Sequence, residues 1–213
     1  MTPRAVRPDR TSRPVRRRPD RYHHGDLRRA LLLEAVRTIQ AEGAAALTLR
    51  GVGDRLGVSR TALYRHFADK QALLDEVAAE GFRMLREALR EAWGRCGRAG
   101  FDEMGLAYVR FAATHPSHYR VMFGSVPERS EPHPHGEGSD DSTDAFQVLV
   151  DAIVAEQAAG RMRREDPQAL ALYIWATVHG VAMLALDGLL PPPTTPDALA
   201  RLAVARLHGG IDR

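Results

Sequence analysis

Apolar residues recur along the N-terminal part of this chain at intervals of three and four, which is the period of an amphipathic α-helix. The first such segment covers residues 27–42 and stops at Gly43, a residue type that commonly ends helices. Thr48, Ser59 and Asp69 each stand just before another apolar segment, where an N-capping side chain is expected. The pattern predicts a first helix, two short helices and a long fourth helix.

The rest of the chain shows the same helical spacing. The helices predicted from it cover residues 101–111, 116–123, 146–160, 167–190 and 196–207. Residues 124–143 are rich in Pro, Gly, Ser and acidic residues and are predicted to form a loop. No segment shows the alternation of apolar and polar residues that indicates a β-strand. The predicted fold class is therefore all-α.

Two features of the chain bear on where the protein works. The apolar segment from Ala169 to Leu190 has the length of a membrane-spanning helix, but His179 and Asp187 interrupt it and no suitable aromatic and basic anchors flank it. We therefore expect a helix buried on most sides inside a bundle, and no membrane as a partner. Cys96 is the single cysteine, so an intrachain disulfide cannot form and a reducing, cytoplasmic location is expected.

Positive charge is concentrated at the N-terminus. Residues 1–70 hold 16 Lys and Arg against 7 Asp and Glu, whereas the remainder holds 14 against 20. Residues 1–21 carry eight arginines and four prolines, cannot form a core, and are expected to be a disordered arm. A basic N-terminal third is typical of a unit that binds a polyanion such as DNA, and a solubilising tail is the alternative.

Residues 48–74 carry the most informative pattern, TLRGVGDRLGVSRTALYRHFADKQALL. Two short capped helices that meet at Gly57 are typical of a helix-turn-helix, whose second helix enters the DNA major groove. The side chains expected to face the groove are Ser59, Arg60, Thr61, Tyr64 and Arg65. Arg60 has the geometry to bind guanine O6 and N7, and Thr61 can contact a thymine methyl.

Other residues near this unit suit contacts with the DNA backbone. Thr48, Tyr64, His66 and Lys70 lie where phosphate contacts are expected. Tyr64 and His66 have an alternative role, as an aromatic pair that completes the small core. Three arginines of the arm can neutralise phosphates or enter a minor groove, namely Arg16, Arg17 and Arg18.

These residues carry a resemblance to the tetracycline-repressor (TetR) family of bacterial regulators. The similar region runs from about Asp26 to Ala79, and GVSRTALYRHFADKQALL is its most specific part. The resemblance implies DNA contacts by Thr48, Arg60, Thr61, Tyr64, His66 and Lys70. Gly53 departs from the family, which usually has alanine there. The resemblance also implies a variable, all-α C-terminal half that binds a small ligand and dimerises through its last two helices.

The C-terminal half offers candidates for both of those roles. The run from Trp175 to Gly180 resembles a Trp-x-x-x-His-Gly signature of one TetR subgroup. The candidate ligand-pocket residues are Met84, Met104, Tyr108, Phe111, Met122, Phe123, Trp175 and His179, with ordinary core packing as the alternative for each. The candidate dimer seam is Leu199, Leu202, Ala203 and Arg206, and the helices that carry the interface are predicted over residues 167–190 and 196–207.

The function predicted from the sequence is a ligand-responsive repressor that binds a palindromic DNA operator as a homodimer. The predicted organisation is an arm over residues 1–21, a three-helix helix-turn-helix domain over 22–80, and a helical ligand-binding and dimerisation domain over 81–213 that a long helix joins to it. No cofactor or metal is expected, and the small-molecule effector is unknown. A helical-bundle enzyme with a DNA-binding module and a low-specificity architectural DNA-binding protein are the alternatives.

Overall fold

The computed structural model describes residues 24–94, 97–124 and 140–211, and within these ranges the chain forms nine α-helices and no β-strand. The helices are α1 (His24–Glu42), α2 (Leu49–Leu56), α3 (Arg60–Tyr64), α4 (Lys70–Trp93), α5 (Gly97–Thr114), α6 (Pro116–Phe123), α7 (Asp140–Ala158), α8 (Pro167–Leu186) and α9 (Pro196–Ile211). A short 3₁₀ turn, Ala44–Ala46, follows α1. The all-α prediction is confirmed.

The predicted capping residues explain why the short helices begin where they do. The side chains of Thr48, Ser59 and Asp69 each accept a hydrogen bond from the backbone N–H three residues further on, at 3.0, 3.2 and 2.8 Å. Gly43 and Gly57 have φ values of 84° and 65°, in the left-handed region that glycine adopts without strain. These local signals fix the two turns of the helix-turn-helix.

Several predicted boundaries were wrong by three to six residues. Helix α1 begins at His24 rather than at residue 27, and α7 begins at Asp140, inside the segment predicted as a loop. Polar residues that suit the first turn of a helix were interpreted as loop residues in both places. Helix α8 ends at Leu186 instead of continuing to residue 190, because Gly188 takes a φ of 67° and turns the chain.

The N-terminal helices enclose one end of the hydrophobic core. Leu31, Leu47, Val52, Leu63 and Leu73 are at most 1% exposed, and they come from α1, α2, α3, α4 and the turn before α2. Helix α4 begins in this core and then packs against α5, α6 and α7. The predicted boundary between residues 80 and 81 therefore falls inside one continuous helix, as expected for a long helix that joins the two parts.

A bidentate ion pair fastens α1 to α4. The guanidinium of Arg28 donates to both carboxylate oxygens of Glu76, at 2.6 and 2.7 Å, and it lies 5.3 Å from the ring centroid of Phe67. The hydrogen bond from Arg28 lowers the pKa of the Glu76 carboxyl below its usual range. The contact orients the start of α4 relative to the helix-turn-helix.

Gly53 is expected to be replaceable by alanine with a gain in stability. A Cβ at this position of α2 would lie 3.0 Å from the Cδ2 of Leu63, a flexible methyl that can move by a few tenths of an ångström. Alanine is favoured over glycine inside a helix, so Gly53→Ala should raise the free energy of unfolding by about 0.5–1 kcal/mol in urea denaturation. Gly57→Ala is the matched control and should lower it, because of its positive φ. A loss of stability in Gly53→Ala would show that the Leu63 side chain cannot move to make room for the added methyl group.

Helix α8 is less buried than the sequence led us to expect. Its most apolar window has the length and composition of a membrane span, yet only 33% of that window is buried in the single chain. Its inner face packs against α5, α7 and α9, whereas apolar side chains on the outer face are 36–55% exposed. These outer residues are Leu172, Tyr173, Met183 and Leu184. Within one chain, therefore, the helix is not buried on most sides, in contrast to the expectation for a bundle helix, because these four apolar side chains face outward.

Candidate DNA-binding surface and ligand cavity

The residues predicted to read bases lie on the outer surface of α3. Arg60, Thr61, Tyr64 and Arg65 are all exposed, and Leu63 holds the helix to the core from the opposite face. Ser59 is the N-cap, so it lies just before the helix and its oxygen already accepts a backbone hydrogen bond. The arrangement leaves the start of α3 free to enter a groove.

The residues predicted to contact phosphates surround this helix. Thr48 is exposed at the start of α2, while His66 and Lys70 are half-buried, and the Lys70 Nζ donates to the Ala45 carbonyl at 3.4 Å. Tyr64 is 56% exposed, so the alternative of an aromatic core residue is wrong for it. Contact with DNA stays a prediction for all of them. Three further candidates lie outside the described residues, namely Arg16, Arg17 and Arg18.

A cavity lies among helices α4 to α9, and each of these six helices supplies at least one residue of its lining. It encloses about 770 Å³ of empty space, a volume that includes a part open to solvent. Its walls are Phe82, Leu85, Leu89, Phe101, Met104, Gly105, Tyr108, Phe123, Ala145, Phe146, Leu149, Ile174, Trp175, Val178, Val204 and Leu207. Almost all of these side chains are aliphatic or aromatic.

Half of the predicted pocket residues lie in the wall of this cavity. Met104, Tyr108, Phe123 and Trp175 do, whereas four others lie outside its lining, namely Met84, Phe111, Met122 and His179. Met122 packs instead at Gly81, where a Cβ would lie 2.5 Å from its sulfur, and Phe111 packs on the His115 ring at 5.1 Å. Residues of α7 and α9 complete the cavity and were missed, because their apolar pattern is the same as that of any core residue.

Four polar side chains form a cluster at one end of the cavity. The indole N–H of Trp175 donates to the Tyr108 hydroxyl oxygen at 2.9 Å, and the hydroxyl of Tyr119 donates to the same oxygen at 3.0 Å. The Nδ1 of His179 lies 2.9 Å from the Tyr108 oxygen and 2.7 Å from the Tyr119 oxygen. Trp175 and His179 are one helical turn apart, so both reach the same tyrosine from α8. We call these four residues the tyrosine cluster.

The tyrosine cluster is expected to make stability fall at high pH. Burial raises the pKa of both the Tyr108 and the Tyr119 hydroxyls above the usual range. In the unfolded chain both ionise near pH 10, so their contribution to stability is complete below about pH 10 and is lost as the pH rises further. Tyr119→Phe removes one such group. Between about pH 10.5 and 11.5 its free energy of unfolding should fall less steeply than that of the wild type, by up to about 1.4 kcal/mol per pH unit. Equal slopes would contradict the raised pKa.

The predicted dimer seam is split between two environments. Leu202 and Arg206 are exposed on α9, whereas Leu199 and Ala203 are half-buried and pack against the hydrophobic core. The seam stays a prediction, with two of its four residues exposed in the single chain and two packed in part against its own core. The exposed large apolar residues of α8 and α9 are Leu202 and the outer residues of α8, and Leu189 just after α8 is exposed as well.

Comparison with known proteins identifies the family. Residues 31–77 match the model of bacterial regulatory proteins of the tetR family, and residues 101–207 match that of the tetracyclin repressor-like C-terminal domain. The chain is 26% identical over 207 residues to the HTH-type transcriptional regulator Rv1816 of Mycobacterium tuberculosis (strain ATCC 25618 / H37Rv), an alignment that covers 80% of this chain and 88% of the relative.

Solved structures agree with these matches. A protein with unknown function from Rhodococcus sp. RHA1 is similar with a TM-score of 0.78 and 33% identity, over 92% of this chain and 100% of that one. The ketosteroid transcriptional regulator KstR2 of Mycobacterium tuberculosis shares the fold, with a TM-score of 0.61 and 20% identity over 88% of this chain and 95% of that one. The Trp-x-x-x-His-Gly subgroup stays a prediction. With one family model over the helix-turn-helix and another over half of its length, the chain belongs to the TetR family of bacterial regulatory proteins.

Proposed function

We propose that this DNA-binding regulator is a ligand-responsive repressor that works in the cytoplasm and binds a palindromic operator as a homodimer. Ligand-responsive repression is the general behaviour of the family. The observation that carries the proposal is the exposed row formed by Arg60, Thr61 and Tyr64 on α3 and by Arg65 directly after it, on a helix that the Ser59 cap and the core hold in place. Side chains of these types can read base edges and contact phosphates.

The two ends of the chain have different tasks in this proposal. Residues 22–80 bind DNA, and residues 81–213 bind the effector and form the dimer. Helix α4 crosses from one part to the other and carries three of the cavity residues, namely Phe82, Leu85 and Leu89. A ligand in the cavity therefore contacts the same rigid element that begins beside the helix-turn-helix.

The homodimer accounts for the exposed surface of α8. Single folded chains rarely leave large contiguous apolar patches open to water, and such patches mark interaction sites. Ala176 and Gly180 lie on the exposed face between the large outer residues, so a second helix can approach closely there. Pairing of α8 and α9 with their copies would form a four-helix bundle and place two recognition helices on a two-fold axis.

A binding assay on two DNA fragments tests the proposed function. One fragment carries the promoter beside the gene of this chain, where an autoregulated operator would lie, and the other is random DNA of equal length. A sequence-specific regulator should prefer the promoter by about 10³ or more. Equal affinity with a steep salt dependence would instead support the architectural alternative. An enzyme with a DNA-binding module would be recognised by turnover of a substrate.

A further inference from the structure

We propose that the effector of this regulator is an uncharged, elongated hydrophobic molecule, held along α4 and α5 with one end against the tyrosine cluster. The inference rests on the proposed function, because it takes the cavity to be the effector site. It goes further in naming the chemistry of the ligand. The argument has three steps, which concern the charge of the walls, the state of their polar groups, and the shape of the space.

Among the residues that the structure describes, the walls of the cavity offer no charged side chain. None of the sixteen lining residues is acidic or basic, and their polar side-chain groups are the Tyr108 hydroxyl and the Trp175 indole N–H. Moving a carboxylate or an ammonium group from water into such walls removes its hydration without supplying a partner. A charged effector would therefore bind far more weakly than a neutral molecule of the same size.

The polar groups at the end of the cavity already bind one another. With the Nδ1 of His179 as an acceptor, the tyrosine cluster has four polar hydrogens, on the Trp175 indole, on the two phenols and on the Nε2 of His179. The hydrogens of the indole and of the two phenols each have a partner inside the cluster, at 2.7 to 3.0 Å. The Tyr108 hydroxyl accepts from Trp175 and Tyr119, so both of its lone pairs are occupied. The cluster closes the cavity with a satisfied polar wall, and the ligand needs no polar group to complete it.

The walls also set the length of the space. Phe82 and Leu89 mark the two ends on α4, seven residues or about 10 Å apart along the helix. Phe101 and Tyr108 span the same length on α5. Six of the sixteen lining residues are aromatic, which favours contacts with a ring or a hydrocarbon chain over polar recognition. The space therefore suits one elongated apolar molecule.

Three probes of equal chain length and different charge test the proposal. Decan-1-ol, decanoate and decylammonium are titrated into the full-length protein near pH 7.5, with calorimetry and tryptophan fluorescence as readouts. Trp175 is in the cavity wall and reports occupancy. We expect decan-1-ol to bind at least about 30-fold more tightly than either ion, because neither charge has a partner in the walls. Failure of decan-1-ol to bind up to its solubility limit, or binding of either ion as tightly as the alcohol, would overturn the inference.

A matched pair of variants on α7 locates the binding. Leu149→Trp fills part of the cavity and should weaken decan-1-ol binding at least tenfold, whereas Val154→Trp lies on the exposed face of the same helix and should leave it unchanged. Circular dichroism confirms that both variants stay helical. Equal affinities in the two variants would place the alcohol outside the cavity and overturn the inference.

The outcome is distinguishable from that of the proposed function. Specific promoter binding together with preference for a charged probe would leave the regulator in place and reject the uncharged effector. Neutral-probe binding in the cavity without any preference for the promoter would support the cavity chemistry and reject the proposed operator. Promoter binding and probe binding are measured on the same protein in separate experiments, so neither result depends on the other.

Discussion

Leu202→Glu is expected to turn the protein into a helical monomer and to lower its operator affinity by about 100-fold or more. Leu202 is 52% exposed on α9, which packs against α8. In a dimer closed by these helices, two glutamates would be buried near the two-fold axis without partners. Burying an unpaired charge in an apolar contact costs about 3–5 kcal/mol, which is enough to separate the subunits at assay concentrations.

The loss of DNA binding follows from the loss of the dimer. One helix α3 has five residues and reaches only a few base pairs, so a monomer holds half of the contacts that a palindrome offers. Sedimentation measures the mass, circular dichroism measures the helix content, and a gel-shift titration measures operator affinity. All three readouts are needed, because an unfolded chain would also fail to bind DNA.

Val154→Glu is the matched control for this prediction. Val154 is 48% exposed on α7, so its substitution adds the same charge to an open aliphatic site on a helix outside the proposed α8–α9 interface. It should stay dimeric and bind the operator as the wild type does. A stable dimer in Leu202→Glu, with Val154→Glu unchanged, would show that the interface lies on another surface.

Local signals made most of the helices predictable from the sequence. Thr48, Ser59 and Asp69 cap their helices through bonds to residues three positions away, and Gly57 turns the chain by its own φ value. Such interactions depend on neighbours in the sequence, so the pattern alone identifies them. The cavity depends on which face of each helix meets which neighbour. Met122 and Phe123 are adjacent, yet only Phe123 lines the cavity, because α6 turns Met122 toward Gly81.

The exposed face of α8 is a second feature that the sequence pattern could not predict. Its composition indicated burial, and burial by this chain alone accounts for only its inner face. A hydrophobic pattern predicts that a surface is shielded from water. It does not reveal whether the same chain, a second copy or a ligand covers that surface. The Trp175–His179 pair is similar, since its spacing places both side chains on one face but does not reveal that Tyr108 lies between them.

Arg60→Ala and Thr61→Ala are each expected to weaken operator binding by about 1–3 kcal/mol and to relax the preference for one base pair in each half-site. Both side chains are exposed at the start of α3, while Leu63 and the Ser59 cap hold the helix, so the substitutions leave the core intact.

Lys70→Ala should weaken binding to all sequences alike and reduce the salt slope by about one, because a phosphate contact carries no base information. Arg37→Ala removes a charge from an exposed site on α1 and controls for net charge alone. The test compares the affinities of each protein variant for the operator and for operators with single-base changes. If Arg60→Ala discriminates among these DNA sequences as the wild type does, α3 does not read bases through this arginine.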